Sequence, residues 1–60
     1  MKVYVNDKPV QLLPGTTVRH ALVREGRLEE LERGKKVYDE WGNELGQDGA
    51  LSEGVKIIIR

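Results

Sequence analysis

An α+β fold is what this sequence predicts, on three observations. Residues Lys2–Leu12 alternate apolar and polar in two short runs joined by Asn6-Asp7, the mark of a β-hairpin. A Pro14-Gly15 break then leads into Val18, Ala21 and Leu22, an apolar stripe at helical spacing. The chain closes on Val55–Arg60, which alternates with period two again.

Each element follows from local chemistry. In Lys2–Asn6, Val3 and Val5 point inward while Lys2 and Tyr4 point outward. Asn6 and Asp7 tolerate positive φ and make the turn. Pro9 lacks an N–H and belongs at a strand start or on a sheet edge. Val10 and Leu12 continue inward. Thr16 or Thr17 caps a helix expected from about Thr17 to Glu25, and Gly26 stops it without a Cβ clash. Arg19, His20, Arg24 and Arg27 are expected on its far face. A second helical turn over Leu28–Arg33 offers Leu28 and Leu31 to the core and ends at Gly34. Lys35–Asp39 reads as a short strand with Val37 inward. Glu40-Trp41-Gly42-Asn43 reads as a turn, Glu44-Leu45 as a brief strand, and Ala50-Leu51 as an irregular segment with Leu51 plugging the core. In the last strand Val55, Ile57 and Ile59 point inward, and Lys56, Ile58 and Arg60 outward.

Sixty residues make one domain, residues 1–60, which buries only about 60% of its unfolded surface. With 38% hydrophobic and 33% charged residues it belongs with folded chains. No cysteine is present, so the core must hold the fold without disulfides or thiolate metal sites. No signal-peptide pattern and no run of roughly 18 apolar residues occurs, so no membrane span and a cytoplasmic location are expected. Formal charge is zero, which argues against nucleic acid as partner. The acids Asp39, Glu40, Glu44, Asp48 and Glu53 run without an intervening base, which predicts an acidic lobe.

The first and last strands are both apolar, and pairing them in the middle of the sheet is the economical closure. That predicts a β-grasp fold: a four- to five-stranded mixed sheet with one main helix packed on one face. Val3-Tyr4-Val5-Asn6-Asp7-Lys8 followed by Pro14-Gly15-Thr16-Thr17-Val18 resembles the opening of the sulfur carriers of thiamin and molybdopterin synthesis. Leu51-Ser52-Glu53-Gly54-Val55-Lys56-Ile57-Ile58 is similar to their late loop and strand, with Val55 where an acid is usual. The resemblance implies a ubiquitin-like domain acting through a C-terminal Gly-Gly tail. The sequence ends at Arg60 without one, so a competent carrier is not expected unless a tail lies beyond it. Plant-type ferredoxins share the opening but ligate their cluster through cysteines. The small regulatory domain of threonyl-tRNA synthetases, certain GTPases and stringent-response enzymes is of similar size and implies RNA or protein binding.

Residue by residue, catalysis has little support. His20 lies among arginines with no serine, cysteine or second histidine at useful spacing. The acidic stretch lacks calcium-loop spacing, since Trp41 stands where Asp or Asn would be needed. Gly34-Lys35-Lys36 lacks the upstream glycine of a phosphate-binding loop. No enzyme activity, metal or cofactor is expected. The candidate interaction residues are Tyr4, Tyr38 and Ile58, outward on the face the helix leaves bare, with Trp41 at their border. They predict a protein partner or self-association through that face, the acidic lobe steering a basic partner.

Overall fold

The computed structural model describes residues 1–60 and is α+β, with a five-stranded mixed sheet and two short helices. In chain order the elements are β1 (Lys2–Val5), β2 (Lys8–Gln11), α1 (Val18–Arg24), α2 (Leu28–Glu32), β3 (Val37–Asp39), β4 (Glu44–Leu45) and β5 (Lys56–Ile59). Across the sheet the order is β2-β1-β5-β3-β4. Only the β1–β5 pair is parallel. The first and last strands therefore lie side by side near the middle, flanked by strands that screen them from solvent. Their inward residues are almost wholly buried: Val3 and Ile57 at 0%, Val5 at 1% and Ile59 at 4% exposed.

The hairpin turns at Asn6 (φ 48°) and Asp7 (φ 70°), both in the left-handed region that two-residue hairpin loops require. Asn6 has a second task. Its carboxamide Oδ1 accepts the Ile59 N–H at 2.8 Å and its Nδ2 donates to the Ile59 carbonyl at 3.4 Å. Where β1 turns away from β5, this side chain takes over the ladder. Pro9 lies in β2, the outermost strand on its side. Met1 and Leu12 exchange hydrogen bonds at 2.7 Å in both directions. Antiparallel alternation then places the Val3–Val10 pair in the bonded position and turns the Pro9 nitrogen toward solvent, where no donor is missed.

Helix α1 is capped by Thr17, whose Oγ1 accepts the His20 N–H at 3.4 Å. Thr16 plays no such part. Two further orphan donors of the first turn go to a distant loop: Val18 N–H to the Gly49 carbonyl at 3.0 Å, and Arg19 N–H to that of Gln47 at 2.9 Å. The same loop bridges Ala50 to Thr17 and seats Leu51 in the core. At the other end Gly26 (φ 69°) lets Arg27 N–H reach back to the Leu22 carbonyl at 2.8 Å. Val18, Ala21 and Leu22 are fully buried against the inward strand residues, so the helices cover one face of the sheet.

The helical cover has the longer helix α1 and, within the helical turn expected over Leu28–Arg33, α2. It is two short helices, and α2 buries no residue completely; Leu28 and Leu31 only pack against the core's margin. Strand β3 starts at Val37 rather than Lys35, because the Gly34 and Lys35 N–H groups still bond carbonyls of α2. Strand β5 starts at Lys56, since Val55 N–H closes a turn onto Ser52 at 3.1 Å and Val55 is only half-buried. No helix is long and apolar enough to cross a membrane.

Arg27, expected on the solvent face of α1, instead clamps Glu30 through two nitrogens, and Lys35 adds a contact to Glu30 at 3.1 Å. The Arg27 hydrogen bond, then that of Lys35, holds the Glu30 carboxyl down to about 2 from its ordinary 4.5. A carboxyl whose folded pKa is depressed stabilises the fold above its unfolded pKa. That contribution is lost as pH falls from about 4.5 toward about 2. Glu30→Gln should therefore lower the urea midpoint at neutral pH and flatten its decline over that acid window. A variant whose midpoint tracks the parent at every pH would show the cluster to be energetically silent.

Candidate interaction face

Pleat geometry sends alternate residues of each strand to the face the helices leave uncovered. On β1 these are Lys2 and Tyr4, on β3 Tyr38, on β4 Glu44, and on β5 Lys56 and Ile58. Lys36 and Arg60 extend β3 and β5, each accepting the other's N–H at 2.9 Å, and fall on the same side by alternation.

The register decides which candidates meet. Tyr38 stands directly opposite Ile58, with Glu44 beyond it on β4. Tyr4 stands opposite Lys56, one pleat away from Ile58. Tyr4, Tyr38 and Ile58 therefore form two staggered rows. All three are half-buried. The rings are not bare, because Lys2 Nζ lies 5.8 Å from the Tyr4 ring centre and the Arg60 guanidinium 4.9 Å from that of Tyr38.

Trp41 sits in the β3–β4 turn with its side chain open to solvent, 75% exposed. The turn beneath it is built by Asp39. One carboxylate oxygen accepts the N–H groups of Trp41 and Asn43, each at 2.9 Å, and the other accepts Asn43 Nδ2 at 3.2 Å. The Asn43 backbone N–H leads the hydrogen bonds that hold the Asp39 carboxyl below its usual range. Between this turn and the β1–β2 turn lies a shallow groove of about 320 Å³, lined by Asn6, Asp7, Glu40, Lys56 and Ile57–Ile59.

The acids from Asp39 to Glu53 do not gather into one lobe on this face. Asp39 is spent in its own turn, Glu44 lies 3.9 Å from Lys36, and Glu53 accepts the Lys2 backbone N–H at 3.0 Å. Both signs are mixed there: Lys2, Lys36, Lys56 and Arg60 share the face with Glu44, and Asp7 and Glu40 line the groove beside Lys56 and Ile58. The same period-two rule that turns Tyr4 and Ile58 outward also turns Lys2, Lys56 and Arg60 outward.

His20 is exposed on α1, and no three His, Asp or Glu side chains gather as metal ligands. Two hollows beside α2, of about 250 and 210 Å³, share Leu31 and Gln47 and contain neither serine, histidine nor tyrosine. No protein-family model, curated protein or solved structure matches the chain.

Proposed function

We propose that this chain is a β-grasp domain that serves as a small, non-catalytic protein-interaction module, with the outer sheet face as its contact surface. The observation that carries the reading is the Tyr38–Ile58 cross-strand pair, set on a sheet face that no helix covers. An aromatic ring with a polar tip beside a branched aliphatic side chain is the composition of an interface anchor, and such anchors carry most of the binding energy. The pairing of β1 with β5 supports the β-grasp arrangement, as does the partial resemblance to ubiquitin-like sulfur carriers.

A photo-crosslinking amino acid at Tyr38, with one at Arg24 on the helical side as control, tests this in cells. Adducts to protein are expected from position 38 and not from 24. Ile58→Glu should abolish them, because it places a charge in the contact, while circular dichroism shows the fold retained. An adduct of twice the chain's mass would identify a second copy as partner. Equal crosslinking from both positions, or adducts that survive Ile58→Glu, would overturn the reading.

A further inference from the structure

We infer that residues 28–35, helix α2 and the turn behind it, form a flap that opens while the sheet and α1 stay closed. The inference is independent of the sheet-face reading above and concerns the helical side of the molecule. Its first support is where the segment's polar groups are spent. Glu30 N–H goes to the Arg27 carbonyl at 3.1 Å, and Arg33 N–H to those of Glu29 and Glu30 at 3.2 Å. Gly34 N–H goes to the Leu31 carbonyl and Lys35 N–H to that of Glu30, both at 3.1 Å. Side chains follow suit: Glu30 is held by Arg27 and Lys35, and Glu29 lies 4.0 Å from Arg33. No hydrogen bond or ion pair of residues 28–35 reaches beyond Arg27.

The other elements are tied to distant parts of the chain. Ladders hold the five strands, and α1 is held by the Gln47 and Gly49 carbonyls and by the Lys8–Glu25 ion pair. Cross-linking of that kind resumes at Lys36, which exchanges backbone hydrogen bonds with Arg60. Opening the segment therefore breaks no long-range polar contact.

Apolar attachment is the second support, and it is slight. Where α1 buries Val18, Ala21 and Leu22, α2 buries no residue, and its N-terminus has no side-chain cap. Only the half-buried Leu28 and Leu31 rest on the core's margin. The two hollows beside α2 meet at Leu31 and Gln47, so withdrawing Leu31 joins them into one recess that Val37 and Leu45 also line. Glycines in the left-handed region, Gly26 (φ 69°) and Gly34 (φ 96°), flank the helix and supply its pivots. Five residues are too few to stay helical alone in water, so the opened segment melts and its amides exchange with solvent.

Hydrogen exchange of the ¹⁵N-labelled chain, followed in rising sub-denaturing urea, tests this. The flap reporters are the Arg33, Gly34 and Lys35 amides. The sheet reporters are Tyr4, bonded to the Val55 carbonyl, and Asn6, bonded to that of Ile57. The flap amides should be protected, yet about tenfold or more less so than the sheet amides. Their exchange should hardly respond to urea, because a local opening exposes little surface, whereas that of Tyr4 and Asn6 should rise steeply. Val10→Ala, made on the strand at the opposite edge of the sheet from β4, should speed the sheet amides about tenfold and leave the flap amides unchanged. If Val10→Ala does not fold, the urea dependence of the parent decides alone. Equal protection and equal urea dependence at both sets, or equal acceleration by Val10→Ala, would overturn the inference. So would flap amides exchanging at the rate of an unstructured peptide, since no closed flap would then exist to open.

Discussion

Ile57→Ala should leave the chain largely unfolded at room temperature, whereas Ile58→Ala should remain folded. The two residues are neighbours of identical chemistry on opposite faces of β5. Ile57 is 0% exposed, lies opposite Val5 on one side and Asp39 on the other, and belongs to the eleven-residue core. Truncating a buried isoleucine to alanine costs about 2–5 kcal/mol, from lost transfer energy and the cavity left behind. A domain of this size rarely holds more than about 3–5 kcal/mol in total. That single cavity can therefore consume the whole margin, and no disulfide is present to compensate. Ile58 is half-buried on the open face, where truncation leaves no enclosed cavity, so its loss should stay below about 1 kcal/mol. Urea denaturation followed by circular dichroism measures both. Equal losses at the two positions would mean that the outer face is packed against something or that β5 is rotated.

A second large effect is expected at Asn6. Its side chain satisfies the Ile59 N–H and carbonyl, and its backbone adopts φ 48°. Asn6→Ala loses both advantages: an unpaired backbone group costs about 1–3 kcal/mol, less where water reaches it. Alanine bears the left-handed conformation less well than asparagine, whose short polar side chain can hydrogen-bond locally, which adds up to about 1 kcal/mol. The combined loss approaches the domain's margin. Asn6→Gly separates the two causes, since glycine relieves the backbone strain without restoring the hydrogen bonds. It should recover about 1 kcal/mol of the alanine loss and no more. Recovery to parental stability would show the side-chain ladder to be dispensable, and an Asn6→Ala variant within a few tenths of a kcal/mol of the parent would refute the whole account.

Most element positions were legible from local pattern. Val3/Val5, Val10/Leu12 and Ile57/Ile59 alternate with polar residues or with residues that end outward, and the structure buries those six. Val18, Ala21 and Leu22 fall on one helical stripe and are likewise buried. The Asn6-Asp7 turn and the Gly26 stop were readable because positive φ is an intrinsic property of few residue types. Boundaries were less legible. Lys35 and Val55 carry strand-compatible pattern, yet their N–H groups are captured by the carbonyls of a preceding turn.

For the candidate face, alternation alone placed Tyr4, Tyr38 and Ile58 outward, and it needed no knowledge of neighbours. Which of them touch is a matter of register between strands far apart in the chain. Sequence periodicity carries no register across a gap of some twenty residues. Tyr38 therefore meets Ile58, Tyr4 meets Lys56, and Arg60 covers a ring it was never expected to approach.

What the sequence by itself determined is thus the eleven buried residues, to which it added the only partly buried Leu28, Leu31 and Val55, together with the hairpin turn and the helix cap type, because each depends on the conformational preference or periodicity of a few adjacent residues. Only the tertiary structure decided that Thr17 rather than Thr16 caps α1 and that Gln47 and Gly49 supply its missing acceptors. It also decided that Asn6 completes the β5 ladder and that four cations share the open face. Apart from the Thr17 cap, which bonds only three residues along, these link residues brought together when the sheet closes around its core, where an unpaired donor is costly.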